Sequence, residues 1–104
     1  MAQITQEAIA DVGHGGGHTA QHLAEGHLKE GKLDLAESAF RTVMDMKPDN
    51  TAALNNLATV LQDLGRLDEA LVVADQAVAR DDQWQAQALA TRNGIRQAMQ
   101  KRQQ

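Results

Sequence analysis

"GKLDLAESAF", Gly31 to Phe40, and "GRLDEALVVA", Gly65 to Ala74, start on the same figure: glycine, a cation, leucine, aspartate, then a run of small and apolar residues. The offset between them is 34 residues. The flanks agree in the same register. Leu23-Ala24 precedes the first glycine as Leu57-Ala58 precedes the second, Ala36 answers Ala70, Val43 answers Ala77, and Asn50 answers Trp84. A fixed internal period of about 20–50 residues is the mark of a solenoid built from stacked units.

Each unit parses as two helices. In the second copy, Leu54, Leu57, Ala58, Leu61 and Leu64 are spaced as one apolar face of a helix over Ala52 to Leu64. Asn50 or Thr51 is its N-cap, since a short polar side chain can accept from the free N–H groups of the first turn. Gly65 ends it, because glycine adopts the left-handed conformation of a helix C-terminus without strain. Asp68 then caps a second helix to about Arg80, with Ala70, Leu71, Ala74, Ala77 and Val78 inward. The first copy repeats the plan, with helices from about His18 to Glu30, ended by Gly31, and from about Asp34 to Met46, ended by Pro48. Ala24, Ala36, Ala58 and Ala70 let neighbouring helices approach closely.

Residues 85–104 begin a third copy with Ala88, Thr91, Ile95 and Ala98 inward and Trp84 at its entrance. No second helix follows, so this one is expected to cap the stack. Asn93-Gly94 is a break signal inside it. The expected organisation is an N-terminal segment over 1–17 with a glycine hinge, repeats over 18–50 and 51–84, and a capping helix over 85–104. In the N-terminal segment, Ile4, Ala8, Ile9 and Val12 have weak helical spacing. Two readings stay open there: a short amphipathic helix lying on the solenoid or on a partner, and a tail on a glycine linker.

Composition agrees with a helical stack. The chain has 104 residues, enough for one domain, and 42% of them are hydrophobic. Phe40 and Trp84 are its only aromatics and Pro48 its only proline, a balance that favours helix over sheet. With no cysteine there is no disulfide, thiolate site or cysteine nucleophile. No apolar run approaches the roughly 18 residues of a membrane span, and the N-terminus lacks a secretory pattern, so a cytoplasmic location is expected. Net charge is −4, with all the acids within residues 1–82 and a basic tail of Arg92, Arg96, Lys101 and Arg102. An acidic chain without aromatics on a basic face is a poor nucleic-acid binder, and cations suit the end of a last helix.

The repeat resembles the tetratricopeptide repeat family. That family's motif has a small residue in the first helix, glycine in the turn, alanine early in the second helix, a bulky residue, another small one, then proline. Ala24, Gly31, Ala36, Phe40, Val43 and Pro48 supply these in the first copy, and Ala58, Gly65, Ala70, Ala74, Ala77 and Asp82 in the second. Departures are Ala20 and Leu54 at the early aromatic position, His27 and Leu61 where tyrosine is usual, and Asp82 for the proline. The resemblance implies an all-α, right-handed solenoid of antiparallel helix pairs. It also implies a concave groove lined by the first helix of each pair: His18, Gln21, His22, Glu25 and Lys29, then Asn55, Asn56, Thr59, Gln62 and Asp63, then Leu89, Asn93 and Arg96 on the cap. The family's chaperone-tail version uses a basic carboxylate clamp. Only Asn56 matches it; Gln21, Glu25, Ala86 and Ala90 occupy the other clamp positions.

The stretch "DVGHGGGHTAQHLAEGH", Asp11 to His27, holds all four histidines. Its "HGGG" resembles an oxyanion-hole loop, but that loop needs a nucleophile elbow on a sheet, and the only serine, Ser38, falls in a helix. "GHLKEGKL", Gly26 to Leu33, is one residue from a phosphate-binding loop, with Leu33 where the magnesium-holding hydroxyl belongs and no strand before it. Neither histidine pair carries the glutamate of a zinc hydrolase. His18, His22 and Glu25 do fall within roughly 60° on one helix face, and two imidazoles with a carboxylate can hold zinc, iron or nickel, with His14 as a possible fourth ligand. The alternative is a polar groove wall with no metal. His27, on the opposite face, is expected to be a half-buried packing residue.

No nucleophile–base pair emerges, so no enzyme is expected and no cofactor. The leading expectation is an interaction module, an adaptor, scaffold or assembly subunit that binds a peptide or protein in the groove. A metal-binding accessory role through His18, His22 and Glu25, and self-assembly into a homo-oligomer through open solenoid ends, are the alternatives.

Overall fold

The computed structural model of the chain describes residues 20–103. The expected N-terminal segment over 1–17 and the candidate ligands His14 and His18 lie outside the described residues. Residues 20–29 form helix α1. Four more helices follow: α2 Leu33–Met46, α3 Thr51–Asp63, α4 Leu67–Ala79 and α5 Gln85–Gln103. Among the described residues there is no strand. This is an all-α helical-repeat solenoid.

The repeated glycines build the repeated turns. Gly31 and Gly65 have φ of +76° and +83°, the left-handed region that costs a residue with a Cβ about 1–2 kcal/mol. Around each glycine the same pair of bonds closes the helix. The Lys32 N–H donates to the His27 carbonyl at 2.9 Å and the Gly31 N–H to that of Leu28 at 3.1 Å. In the second copy the Arg66 N–H donates to the Leu61 carbonyl and the Gly65 N–H to that of Gln62, both at 2.9 Å. These are Schellman closures, which satisfy carbonyls that the helix leaves open.

The helix starts follow a different rule from the expected one in α4. Asp68 is not its cap. The helix begins at Leu67, the N-cap Arg66 makes no side-chain cap bond, and Asp68 and Glu69 sit in the first turn, where a carboxylate suits the positive end of the helix dipole. In α3 the cap is Asn50, whose Oδ1 accepts from the Ala53 N–H at 3.0 Å. Thr51 turns away and donates to Asp82 Oδ2 at 2.5 Å. Asp82 Oδ1 also accepts from the Trp84 N–H at 2.9 Å. The Thr51 hydroxyl first, then the Trp84 N–H, hold the Asp82 carboxyl below its ordinary value of 3.8. The residue that stands in for the motif's proline therefore ties the approach of α5 to the start of α3.

Two layers result. α3 packs on α2, α4 and α5, and α4 packs on α5, so α3 and α5 lie side by side with α4 behind them. α1 joins the α3 layer through a 2.9 Å hydrogen bond from Asn50 Nδ2 to Gln21 Oε1. In the back layer a ring of charges links α2 to the start of α4. Arg41 donates to Glu37 and Glu69, at 2.9 and 2.6 Å, and Arg66 to the same two carboxylates, both at 2.7 Å. Burial pushes Glu37 up, but the Arg66 and Arg41 hydrogen bonds win and hold it below its ordinary 4.5.

The core runs through both copies. Ala24, Ala36, Ala58 and Ala70 are all fully buried, as are Phe40, Val43, Leu61 and Ile95. The single apolar stripe expected on α3 understates it: Ala53, Val60, Thr51 and Asn55 are buried as well. α3 is the central helix, with neighbours on several sides, so one stripe cannot account for it. Nor does α5 break at Asn93-Gly94; it is helical from Gln85 to Gln103. A Cβ added to Gly94 would meet Gln62 Nε2 at 3.7 Å, ordinary contact.

The two kinds of glycine should therefore respond oppositely to alanine. Gly65→Ala is expected to destabilise by about 1–2 kcal/mol from its backbone angle alone, since nothing lies within 4 Å of the added carbon. Gly94→Ala is expected to stabilise by roughly 0.5–1 kcal/mol, because alanine loses less backbone entropy in a helix. Urea denaturation of both variants checks the signs; a destabilised Gly94→Ala would show that α5 is tighter against α3 than described.

Candidate protein-binding face

Apart from His18, which lies outside the described residues, the expected groove residues fall on three helices of one layer, α1, α3 and α5. Gln21 is the hinge between the first two. Its Oε1 accepts from Asn50, and its Nε2 donates to Glu25 Oε2 at 3.2 Å. One amide chain thus runs from the cap of α3 to the carboxylate on α1. His22 and Lys29 are exposed; Gln21 and Glu25 are half-buried.

On α3, Asn56, Thr59 and Gln62 are half-buried and Asp63 is exposed. The Thr59 hydroxyl donates to the Asn55 carbonyl at 3.3 Å. Asn55 differs from its neighbours. It is only 8% exposed, and its Oδ1 is buried without a hydrogen-bond partner. On α5, Asn93 and Arg96 are exposed and Leu89 is half-buried. Gln62 of α3 lies beside Gly94 of α5.

The arrangement can offer hydrogen bonds and modest charge of both signs. Asn56, Gln62 and Asn93 carry paired donor and acceptor groups that match a peptide backbone. Strong cationic attraction is missing: Glu25 stands at one clamp position, and Ala86 and Ala90, both exposed, stand at two others. The histidine set is only partly on view, since His18 lies outside the described residues. Glu25 is engaged by Gln21, and among the described residues no group of three His, Cys, Asp or Glu could hold a metal ion. His27 is half-buried, and its Nδ1 is buried without a hydrogen-bond partner.

Two features escaped the sequence. Asn50 was legible as a cap but not as the tie to Gln21. A shallow cleft of about 560 Å³ lies between the copies, with Met44 and Pro48 on one side and Leu54, Leu57, Val72 and Val73 on the other. No described helix is long and apolar enough to cross a membrane.

A stack of antiparallel helix pairs with a glycine turn in each pair and a polar front layer defines a helical-repeat protein. The chain belongs to the tetratricopeptide repeat family, whose model matches residues 27–92. Among solved structures it is similar to the first TPR domain of Spaghetti (RPAP3) bound to the HSP90 peptide SRMEEVD. The TM-score is 0.75 and the identity 26%, over 82% of this chain and 68% of that one. No curated protein sequence matches the chain.

Proposed function

We propose that the chain is a non-enzymatic interaction module that binds a peptide or protein segment across α1, α3 and α5, in the role of an adaptor, scaffold or assembly subunit. In this reading residues 18–50 and 51–84 are the repeats, 85–104 the cap, and the setting is cytoplasmic. The observation that carries it is the set of half-buried or exposed amides, Gln21, Asn56, Gln62 and Asn93, shared by one layer of a protein-interaction fold. A similar domain holds a peptide, which supports the same use here.

The ligand class differs from that of the similar domain. SRMEEVD is acidic, and the clamp positions here hold Gln21, Ala86 and Ala90 where cations belong and Glu25 where an asparagine belongs. Calorimetric titration with SRMEEVD is expected to give no binding tighter than about 1 mM, a ΔG of roughly −4 kcal/mol. A micromolar Kd would show that acidic tails are ligands after all.

The reading itself is tested by affinity capture from native lysate with quantitative mass spectrometry. The baits are the wild-type chain, an Asn56→Ala/Thr59→Ala/Gln62→Ala variant and a back-layer Val72→Ala variant. Asn55 is left alone because it is buried and its loss would disturb packing. At least one captured protein should fall about tenfold with the front-layer variant, the effect of losing about 1.4 kcal/mol. Capture unchanged by that variant would count against the front layer as the binding face.

A further inference from the structure

The junction inside the stack shows what its open end lacks. Across the cleft the second copy presents a wall of Leu54, Leu57, Glu69, Val73 and Arg80, and the first copy faces it with Met44 and Pro48. Polar contacts close the rim: Arg41 of α2 donates to Glu69 at 2.6 Å, and Arg80 to the Pro48 carbonyl at 2.7 Å. Moving back 34 residues, the same wall on the first copy is Ala20, Leu23, Leu35, Ala39 and Met46. Leu57 is 4% exposed and its counterpart Leu23 is 59% exposed. Leu35 and Met46 are 52% and 48% exposed, so three of the four exposed large hydrophobics among the described residues stand on this one wall.

The step back also removes every charge from the wall. Glu69 and Arg80 become Leu35 and Met46, and the two other wall positions, Val72 and Gln76, become Ser38 and Thr42. The Thr42 hydroxyl is already engaged by the Ser38 carbonyl within α2, at 3.1 Å. A cover that carried an arginine where α2 carries Arg41 would meet a leucine instead of a glutamate, and a cation desolvated without a partner is costly. The surface that fits this wall is therefore uncharged.

Most described surfaces of the chain do not qualify. The front layer carries Glu25, Lys29, Asp63 and Arg96, the back layer carries the ring of Arg41, Glu37, Arg66 and Glu69, and α5 at the far end is a polar helix with Lys101 and Arg102 in its last turn. Head-to-tail stacking would press those cations onto leucine and methionine. The entrance wall itself is uncharged, and a surface that pairs with its own copy does so about a two-fold axis, the commonest symmetry of homo-oligomers. We infer that two copies of this chain associate entrance wall to entrance wall, each covering Leu23, Leu35 and Met46 of the other. Three large side chains per copy make a small interface, so the expected Kd is between about 1 and 100 μM. The contact is independent of whether a ligand lies on the front layer.

Sedimentation velocity of the full chain, from about 1 μM to about 1 mM, is expected to pass from the mass of one chain to that of two and to stop there, because a two-fold contact closes. Leu23→Asp/Leu35→Asp, which brings like charges together across the axis, should raise the dimer Kd at least about tenfold. Val72→Asp, at a position 57% exposed on the other copy of the repeat, should leave it unchanged. A mixture of methyl-13C-labelled and unlabelled wild-type chains gives a readout that needs no substitution: isotope-filtered NOEs between chains should fall on the methyls of Leu23, Leu35 and Met46. A single-chain mass at every concentration would overturn the inference and mean that another part of the chain or a different protein covers the wall. Growth beyond two chains, an equal response of the two variants, or interchain NOEs confined to other methyls would overturn it as well.

Discussion

Phe40→Ala is expected to cost about 3–5 kcal/mol of folding stability, the range for deleting a large buried side chain and leaving a cavity. Phe40 is the largest fully buried side chain and the only phenylalanine. Its counterpart one repeat later, Ala74, is equally buried, so the first copy concentrates in one ring the bulk that its core needs. A domain of this size is stable by roughly 5–15 kcal/mol, and the loss would remove a large share of that. Urea denaturation, with Val72→Ala as an exposed control expected within about 0.5 kcal/mol, checks it. A loss below about 1 kcal/mol for Phe40→Ala would mean that α1 and α2 do not pack as one unit.

Ile95→Ala should be almost as damaging, at about 2–5 kcal/mol. By sequence α5 is a polar helix with a weak apolar stripe. Yet Ile95 and Ala88 are fully buried, and α5 packs against both α3 and α4. If α5 is an integral cap, the loss is global. Amides of α4 should then exchange faster along with those of α5, since cooperative units open together. Faster exchange confined to α5 would make it a pendant helix instead.

What could be read in the sequence was local or periodic. The 34-residue offset fixed the helix pairs, and the two glycines fixed the turns, because a left-handed closure depends only on its own few residues. Asn50 was legible as a cap for the same reason. Features that require two elements at known separation were not. The Arg41–Glu37–Arg66–Glu69 ring pairs residues 28 and 29 positions apart, and the spacing of charges along one helix gives no hint of it. Gly94 reads as a breaker, but packing of Ile95 and Ala88 holds the helix through it. Asp68 reads as a cap, but after the Schellman closure at Gly65 the next helix starts two residues earlier, with Arg66 at the cap position. In the candidate site the face was legible, while depth was not: Asn55 and Asn56 are adjacent in sequence, and only Asn55 is buried.

The proposed function puts a polypeptide ligand on the α1/α3/α5 layer. Nitrogen-edited NMR of the labelled full chain, titrated with a segment of a captured partner, tests it most directly. The largest shifts are expected on the side-chain amides of Gln21, Asn56, Gln62 and Asn93 and the backbone amides beside them. Shifts confined to α2 and α4, around Met44, Val72 and Val73, would contradict it and move the binding site to the back of the solenoid.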